Sequence, residues 1–318
     1  MTLDEVRALG EAIDAEIAKA VVDQSDVVRF LLVALLSAGH VLLEGAPGTA
    51  KTLLAQSFAR TTGLDFGRIQ FTPDLMPGDI VGSNLFNFQT SQFELTRGPV
   101  FCELLLADEI NRTPPKTQAA LLEAMQERAI TLDGNTERLS DRFTVLATQN
   151  PIEQQGVYPL PEAQLDRFLF KIAIGYPSEA SERAIVAQYG KRTGTPRPED
   201  SGVGEVATRD QVAAAIDAVR GVTLADPVID YIVALVRATR THRDCASGAS
   251  PRAASALAGA ARAAAALDGR DYVIPDDVKA LAPALLRHRI LLSPAAEIDG
   301  RRIDDVVAEL IEATEAPR

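Results

Sequence analysis

The sequence predicts an α/β fold, in which a parallel β-sheet flanked by helices is followed by a smaller, all-α C-terminal domain. Short apolar runs typical of buried parallel strands recur along the first half of the chain, and helical segments separate several of them. One of these runs leads into a loop of small residues that ends in Lys51 and Thr52. Strand signals stop after Pro177, and helix-capping residues recur beyond it.

Periodicity places the elements of the first half of the chain. Helical spacing of apolar residues predicts two helices, over residues 3–20 and 25–38. Alternation of apolar and polar residues predicts two hairpins, over 83–95 and 129–139, the second with the favoured turn dipeptide Asp133-Gly134. The buried strands are predicted at 41–43, 69–71, 104–107, 145–147 and 168–174.

Capping signals place four helices in the second half. A loop rich in glycine, proline and charge spans about 191–204, and Thr208 with Gln211 forms a capping box for a helix over 209–219. Asp226-Pro227 and Ser250-Pro251 each pair an N-cap with proline at the first helical position, and Pro275 opens a fourth helix. We therefore predict two domains, an α/β core over 1–176 and a helical domain over 177–318.

Composition excludes several classes of protein. The chain has 318 residues, of which 47% are hydrophobic, and a net charge of −12, which counts against nucleic-acid binding by bulk electrostatics. Cys102 and Cys245 predict no disulfide framework, and no apolar run near the start is long enough to span a membrane. We expect a soluble cytoplasmic protein whose three histidines, His40, His242 and His288, are surface or capping residues.

The loop after the strand predicted at 41–43 has the form of a phosphate-binding loop. Backbone N–H groups of such a loop point inward, and the following helix N-terminus adds partial positive charge. Lys51 is expected to reach the β- and γ-phosphates of a nucleotide, and the Thr52 hydroxyl to ligate Mg²⁺. The predicted loop consists of Gly45, Ala46, Pro47, Gly48, Thr49, Ala50, Lys51 and Thr52.

Ala50 departs from the phosphate-loop pattern, which has glycine directly before the lysine. Glycine is needed where φ is positive or where the backbone approaches a ligand closely. Because residue 50 lies where the loop enters the helix, we predict a helical φ there, which alanine tolerates. An ordinary strand–turn–helix is the alternative interpretation of this octapeptide taken alone.

Two adjacent acids, Asp108 and Glu109, follow the strand predicted at 104–107. The carboxyl ends of parallel strands share one edge of a sheet, so these acids are expected beside the phosphate loop. Asp108 would hold Mg²⁺ directly or through water, and Glu109 would polarise a water molecule for attack on the γ-phosphate. An isolated acidic pair commonly only starts a turn, but that alternative is weaker downstream of a phosphate loop.

Three further polar residues are candidates for the same chemistry. Asn150 follows the strand predicted at 145–147 and could hydrogen-bond the γ-phosphate or the attacking water, with an Asn-Pro turn as the alternative. Arg167 precedes the last strand and is a candidate arginine finger, with an Asp-Arg surface pair as the alternative. Arg252 stands at the N-terminus of an Ala-rich helix, where its charge opposes the helix dipole, and it could also reach the phosphates.

Several long motifs in order resemble the MoxR family of AAA+ ATPases. They cover Gln70 to Ile80, Gly98 to Phe101 running into Leu106 to Lys116, Leu121 to Glu127, and Leu160 to Phe168. The similarity runs from about residue 25 to 176 and resumes at 250–290, which implies an AAA+ P-loop NTPase core with a C-terminal lid. The family commonly has alanine at the place of Ala50. The N-terminal helix, the 191–204 loop, Asn111 and Arg112 receive no role from the resemblance.

The resemblance implies a role for each candidate residue. Gly45 to Thr52 match Walker A, Asp108 and Glu109 match Walker B, and Asn150 matches sensor 1. Arg167 falls where a trans-acting arginine finger is expected, and Arg252 matches sensor 2, which would report the nucleotide to the helical domain. The hairpins at 83–95 and 129–139 resemble the helix-2 insert and the pre-sensor-1 hairpin.

The implied protein is an ATP hydrolase that uses ATP and Mg²⁺ and assembles as a homo-oligomeric ring of six. ATP would sit between the core and the helical domain of one subunit. The family resemblance implies chaperone-like maturation or metal loading of protein clients, often ones with von Willebrand factor A domains. Two alternatives stay open: a nucleotide-gated scaffold with little hydrolysis, against which Glu109 counts, and a DNA-remodelling motor, against which the acidic charge counts.

Overall fold

The computed structural model of the chain describes residues 1–89, 91–151, 156–191 and 194–317. Thr90, in the predicted turn of the first hairpin, lies outside the described residues, as do residues 192 and 193 of the predicted 191–204 loop. The described helices are α1 (Leu3–Ile17), α2 (Ser25–Leu36), α3 (Lys51–Thr62), α4 (Pro77–Val81), α5 (Pro115–Glu127), α6 (Glu162–Leu165), α7 (Glu179–Tyr189), α8 (Arg209–Arg220), α9 (Asp226–Ala238), α10 (Pro251–Leu267), α11 (Pro275–Leu286), α12 (Pro294–Ile298) and α13 (Ile303–Ala313).

In the part of the chain that the structure describes, the strands form one large sheet and three two-stranded pairs. Short 3₁₀ turns cover Ile110–Arg112 and Pro198–Ser201. The strands are β1 (Val41–Gly45), β2 (Phe66–Gln70), β3 (Gly82–Asn87), β4 (Gln92–Arg97), β5 (Leu104–Asp108), β6 (Ala129–Leu132), β7 (Asn135–Arg138), β8 (Thr144–Gln149), β9 (Phe170–Ile174), β10 (Cys245–Ser247) and β11 (Leu291–Leu292).

The central sheet has five strands in the order β2-β5-β8-β1-β9, and every pairing in it is parallel. Its middle strands β5 and β8 are buried along almost their whole length, as near-continuous apolar runs predict. The predicted strands are confirmed, although β2 begins three residues before the prediction. All five strands point the same way, so each edge of the sheet collects either strand starts or strand ends.

Helices from both ends of the chain share one hydrophobic core. Thr2 and Glu5 form a capping box at the start of α1, and α1 and α2 pack against the C-terminal helices α8 and α10. The predicted N-terminal helices are therefore present, and they join the two halves of the chain. The domain boundary at 176/177 stays a prediction.

The C-terminal half is mainly helical, with a small strand pair that the sequence did not predict. Strands β10 and β11 pair antiparallel between α9 and α12. The Thr208 capping box is confirmed at α8. At α9, however, Ala225 is the N-cap and Asp226 is the first helical residue, so that predicted cap was wrong by one position. Ser250 caps α10 by backbone geometry, but its hydroxyl makes no capping hydrogen bond.

Both predicted hairpins are present. Strands β3 and β4 pair antiparallel, as do β6 and β7. At the tip of the second hairpin Asp133 and Gly134 have φ of 49° and 83°, which is the combination that a two-residue type I′ turn requires. The hairpins touch each other, because the Asn84 side-chain amide donates to Asp133 Oδ2 over 2.7 Å.

Two of the histidines are buried, which corrects the prediction that all three are surface or capping residues. His40 lies just before β1, accepts a hydrogen bond from the Val145 N–H at Nδ1, and contacts the Met125 carbonyl through Nε2. Because a carbonyl only accepts, Nε2 carries the proton and the ring is neutral. His288 is likewise buried and contacts the Phe168 carbonyl over 2.9 Å. Both rings hold backbone groups in the interior.

We expect acidification to lower the free energy of unfolding through His40. Burial lowers the pKa of His40 from 6.5 to about 4. Between these values the unfolded chain binds a proton that the folded chain does not, so stability falls as the pH drops below 6.5. The loss amounts to about 2 kcal/mol between pH 7 and pH 5.

Urea unfolding of the wild type, His40→Asn and His242→Asn at pH 7 and pH 5 measures this difference. The His40→Asn variant should lose about 2 kcal/mol less than the wild type on acidification. The His242→Asn control should follow the wild type. Equal pH dependence in the wild type and His40→Asn would contradict a neutral, buried His40.

Candidate functional site

The predicted phosphate loop connects the end of β1 to the start of α3. Its backbone is tightly constrained: a Cβ at Gly45 would lie 2.6 Å from the Ile174 carbonyl oxygen, and Gly48 has φ of 82°. Ala50 has φ of 59°, in the left-handed region, so the prediction of a helical φ there was wrong. Ala50 is the N-cap of α3, where the chain turns from the loop into the helix. The loop holds this residue in a conformation that costs alanine conformational free energy.

Lys51 is folded against its own loop. Its Nζ donates to the Gly45 and Ala46 carbonyl oxygens over 2.8 and 2.7 Å and lies 3.3 Å from Thr49 Oγ1. Burial lowers the pKa of Lys51, and the charges of Asp108 and Glu109 act in the opposite direction. The ammonium group is therefore held at the mouth of the loop, beside the two acids.

Asp108, at the end of β5, sits in a network of three donors. Thr52 Oγ1 donates to its Oδ2 over 3.0 Å, and Arg68 Nη2 donates to the same oxygen over 2.9 Å. Thr148 Oγ1 donates to Oδ1 over 2.7 Å. The predicted metal ligands Thr52 and Asp108 are thus in direct contact. A hydroxyl and a carboxylate are the hard oxygen donors that Mg²⁺ prefers, so this pair fits a Mg²⁺ site.

Glu109 is held from both sides. Its Oε2 accepts from Gln70 Nε2 and from Arg112 Nη1, each over 2.9 Å, and its backbone N–H donates to Thr148 Oγ1 over 2.8 Å. Glu109 has φ of 57°, so its backbone lies in the sparsely populated left-handed region. The carboxylate is therefore positioned by β2 and by the turn after β5, and the backbone of Glu109 by β8.

Sequence reasoning missed Arg68, Gln70 and Thr148 as members of this network. Arg68 and Gln70 are two apart on β2, so their side chains lie on one face of the strand. Gln70 is the register partner of Asp108 on the adjacent β5. The alternation along β2 was a usable signal, but it required knowing that β2 pairs with β5.

Asn150, which directly follows β8, is buried, and its carbonyl accepts from Asn111 Nδ2 over 3.1 Å. This contact gives Asn111, which had no assigned role, a structural one: it ties the turn after β5 to the end of β8. Asn150 lines the same cleft as Asp108 and Glu109. The three strand ends thus meet, as the sequence predicted.

These residues line one cleft of about 740 Å³, a volume typical of small-molecule sites. Gly45 and Ala46 do not line it; they supply the carbonyl groups that hold Lys51. The C-terminal half contributes one wall, including Ile185, Tyr189 and residues 195–197 of the loop that received no role from the sequence. The predicted residues in the cleft are Pro47, Gly48, Thr49, Ala50, Lys51, Thr52, Asp108, Glu109 and Asn150.

Arg167 and Arg252 lie in a second cleft, of about 280 Å³, and do not line the first. This second cleft is also lined by His40 and Leu169, the residues immediately before β1 and β9. It therefore opens at the strand starts, whereas the phosphate loop lies at the strand ends. Five residues of strand separate the two edges by about 16 Å. The prediction that Arg252 contacts the nucleotide of its own subunit is wrong for this arrangement, because α10 begins at the opposite edge.

The second cleft is strongly basic. Its charged side chains are one carboxylate, Asp166, and four guanidinium groups, from Arg128, Arg167, Arg252 and Arg289. Arg167 donates through Nε to Gln126 Oε1 over 3.0 Å, and Arg252 is exposed. This excess of positive charge suits an anionic ligand.

Comparison with known proteins decides the family. Residues 40–170 match the family described as "ATPase family associated with various cellular activities (AAA)", and residues 237–310 match the AAA lid domain. The chain is 44% identical over 323 residues to chaperone MoxR1 of Mycobacterium tuberculosis (strain ATCC 25618 / H37Rv), covering 99% of this chain and 84% of that protein. The chain belongs to the MoxR family of AAA ATPases.

Two further relatives extend this likeness over nearly the whole chain. Uncharacterized protein YeaC of Bacillus subtilis (strain 168) is 46% identical over 309 residues, which cover 97% of this chain and 95% of that one. The crystal structure of a "putative ATPase" from Cytophaga hutchinsonii ATCC 33406 has a TM-score of 0.90 and 38% identity, covering 99% of this chain and 97% of that chain. The parallel core and C-terminal lid are thus the fold of a MoxR-family protein.

Among the described residues of this MoxR-family chain, we find no helix with the length and apolar character needed to cross a bilayer.

We expect Ala50→Gly to raise the free energy of unfolding by about 1 kcal/mol, because glycine adopts a positive φ without the Cβ clash of alanine. Urea unfolding measures the change. The matched control is Ala8→Gly, at an exposed position inside α1, which should lower stability by about 1 kcal/mol. A loss of stability in both variants would contradict the left-handed backbone at residue 50.

Proposed function

We propose that the protein hydrolyses ATP at an active site shared by two subunits of a homo-oligomeric ring. The observation that carries the proposal is the placement of the two clefts on opposite edges of the sheet. The phosphate loop and both acids line the first cleft, whereas Arg167 and Arg252 line the second. A guanidinium group cannot reach across about 16 Å of strand, so a neighbouring subunit must bring its basic cleft to the nucleotide.

In the first cleft, the loop and Lys51 bind the phosphates. Backbone N–H groups at the start of α3 face the anion, and Lys51 exchanges the loop carbonyl oxygens for phosphate oxygens. Thr52 and Asp108 would hold Mg²⁺, which would neutralise negative charge on the phosphates during transfer. Thr148 and Arg68 keep the Asp108 carboxylate oriented. Dependence on Mg²⁺ belongs to this proposal.

Glu109 polarises the attacking water as general base. Gln70 and Arg112 both donate to Oε2, so they hold the carboxylate in place through that one oxygen. Oε1 stays available to a water molecule in the cleft. Asn150 orients the water or the γ-phosphate from the end of the neighbouring strand. Each of these groups acts by positioning and by charge, which suits the loose transition state of phosphoryl transfer.

The basic cleft completes the site of the adjacent subunit. Arg167 enters as the arginine finger, and Arg252 contributes a second positive charge, where the family resemblance had suggested action within one subunit. Four guanidinium groups against one carboxylate give this cleft the charge that a triphosphate requires. Activity therefore depends on assembly, and we propose a ring of six.

We further propose that ATP-driven subunit motion serves chaperone-like remodelling of partner proteins. The support is the name of one relative, chaperone MoxR1, which covers nearly the whole chain. A client with a von Willebrand factor A domain, and a cytoplasmic location, stay predictions. The acidic net charge of −12 favours a protein client over nucleic acid.

We expect Glu109→Gln to retain ATP binding and to lose turnover by about 10²–10⁴-fold, because glutamine keeps the shape of glutamate but cannot accept the proton. Binding of a fluorescent ATP analogue and steady-state phosphate release measure the two properties. Glu11→Gln, on the exposed face of α1, is the control and should match the wild type. Near-normal turnover in Glu109→Gln would exclude this residue as the base, and absent turnover in the wild type would favour a nucleotide-gated scaffold.

We expect two inactive variants to restore each other when mixed. Arg167→Ala subunits bind ATP but donate no finger, and homogeneous rings should lose about 10³–10⁵-fold in kcat. Lys51→Ala subunits bind ATP poorly but donate an intact finger. Rings that contain both should regain phosphate release at the interfaces where an Arg167→Ala site meets a Lys51→Ala finger.

Co-expression with two affinity tags isolates the mixed rings, and phosphate release per ring is measured against each homogeneous variant. Arg220→Ala, which removes an exposed arginine at the end of α8, is the control and should be fully active alone. Mixed rings that form but stay inactive would contradict a shared site.

A further inference from the structure

Arg167 is weakly held by its own local structure. It follows α6, a four-residue helix that buries none of its residues. Its side chain contacts Gln126 Oε1 and, over 3.4 Å, the Ala163 carbonyl oxygen, and both contacts are exposed. The direction in which Arg167 points must therefore be fixed by the backbone around it, residues 166–169, which we call the finger segment.

One side chain from the C-terminal helices holds the finger segment. Arg289, three residues after the end of α11, donates from Nε to Asp166 Oδ1 over 2.7 Å and from Nη2 to the Asp166 carbonyl over 3.1 Å. Nη2 also donates to the Phe168 carbonyl over 2.6 Å, and Nη1 to the Leu169 carbonyl over 3.1 Å. A single guanidinium thus holds the residue before Arg167 and the two residues after it.

The geometry of this contact is rigid. Nη1 of Arg289 also donates to the Leu285 carbonyl, so all five N–H groups of the guanidinium have an acceptor. The Arg289 side chain is only 3% exposed. His288 adds a bond to the Phe168 carbonyl. A planar fork that is fully satisfied and buried has little freedom, so it transmits the position of α11 to the finger segment.

The charge of Arg289 is costly at this position. Burial lowers the pKa of its guanidinium, the contacts with Asp166 oppose that shift, and the nearby positive charge of Arg252 adds to it. A buried arginine beside other arginines is poorly explained by stability alone, because apolar side chains of similar volume commonly stabilise an interior as well or better. The ordering of the finger segment explains a buried arginine at this position better than stability does.

We propose that Arg289 is a positioning residue for catalysis, which fixes the finger segment so that Arg167 projects into the active site of the adjacent subunit. The inference rests on the proposed shared site, and it assigns a defined part of that site to the C-terminal helices. Arg289 touches no phosphate in this role. Its loss should impair a subunit as donor of the finger and spare the same subunit as acceptor, where ATP is bound.

The test uses full-length Arg289→Lys, which keeps the positive charge beside Asp166 but offers only three N–H donors, without the planar fork, to the five acceptors that Arg289 satisfies. Homogeneous rings should lose about 10²-fold in kcat, the cost of misplacing a reacting group by about 1 Å, and should bind a fluorescent ATP analogue normally. Mixed with Lys51→Ala subunits, which supply good fingers, Arg289→Lys should regain activity. Mixed with Arg167→Ala subunits, which need a finger, it should not.

Arg287→Lys is the matched control. It changes an arginine of the same turn, which pairs instead with Asp304 over 3.1 Å. A subunit with this change should donate its arginine finger normally and should be normal as the acceptor that binds ATP. Asp166→Asn gives a second measurement should Arg289→Lys not assemble: it keeps the carbonyl contacts of Arg289, removes the charge, and should reduce donation while sparing acceptance.

Three results distinguish the possibilities. Normal donation by Arg289→Lys and by Asp166→Asn would overturn the proposal. Loss of both donation and acceptance would also overturn it, because it would show a general role in the fold. If the reference mixture of Arg167→Ala with Lys51→Ala stays inactive, the shared site itself fails, which is a separate outcome.

Discussion

Five strands that all run in one direction give this protein two chemically different edges, and every functional contact depends on that shared direction. At the strand ends lie the phosphate loop after β1, Asp108 and Glu109 after β5, and Asn150 after β8. Because β8 lies between β1 and β5, Thr148 bonds Asp108 from the neighbouring strand, while Thr52 reaches the same carboxylate from the loop. At the strand starts lies the basic cleft. A reaction that needs groups from both edges therefore needs two copies of the chain, because a side chain is too short to reach from one end of a strand to the other.

Two residues of the site, one at the start of α3 and one directly after β5, have strained backbone. Ala50 and Glu109 both adopt left-handed backbone, which costs a residue other than glycine about 1–2 kcal/mol each. The neighbours offset this cost. The Glu109 N–H bonds Thr148, and the Ala50 carbonyl accepts the first helical hydrogen bond of α3 from Leu54. In this conformation Ala50 and Glu109 both line the first cleft. Other described residues, such as Asp133 in the second hairpin, share this backbone conformation, but Ala50 and Glu109 are the two that lie in the site.

Sequence reasoning predicted the features that contiguous residues form, and it missed the contacts between residues that are distant in the chain. The apolar runs, the loop and the acids after β5 are local patterns, so the sheet and the first cleft were predictable. Arg68 and Thr148 reach Asp108 from other strands, and no local pattern gives strand order. The helical φ predicted for Ala50 was wrong, because the loop overrides the helical preference of a residue at the start of a helix. The burial of His40 depends on packing, and so does the position of Arg252 at the edge of the sheet where the strands start. Strands β10 and β11 have three and two residues, too few for alternation to show.

The C-terminal helices contact both clefts, which is what coupling between two sites requires. Ile185 and Tyr189 line the first cleft, and Arg252 and Arg289 line the second, basic cleft. A ligand that shifts these helices against the sheet changes both sites, and such coupling is typically worth about 1–3 kcal/mol. Arg289 makes four hydrogen bonds to the finger segment and a fifth to the Leu285 carbonyl in α11, so it connects that segment to the C-terminal helices. In the proposed ring the finger segment would move with the C-terminal helices, and the nucleotide state of one site would set the position of Arg167 offered to the next.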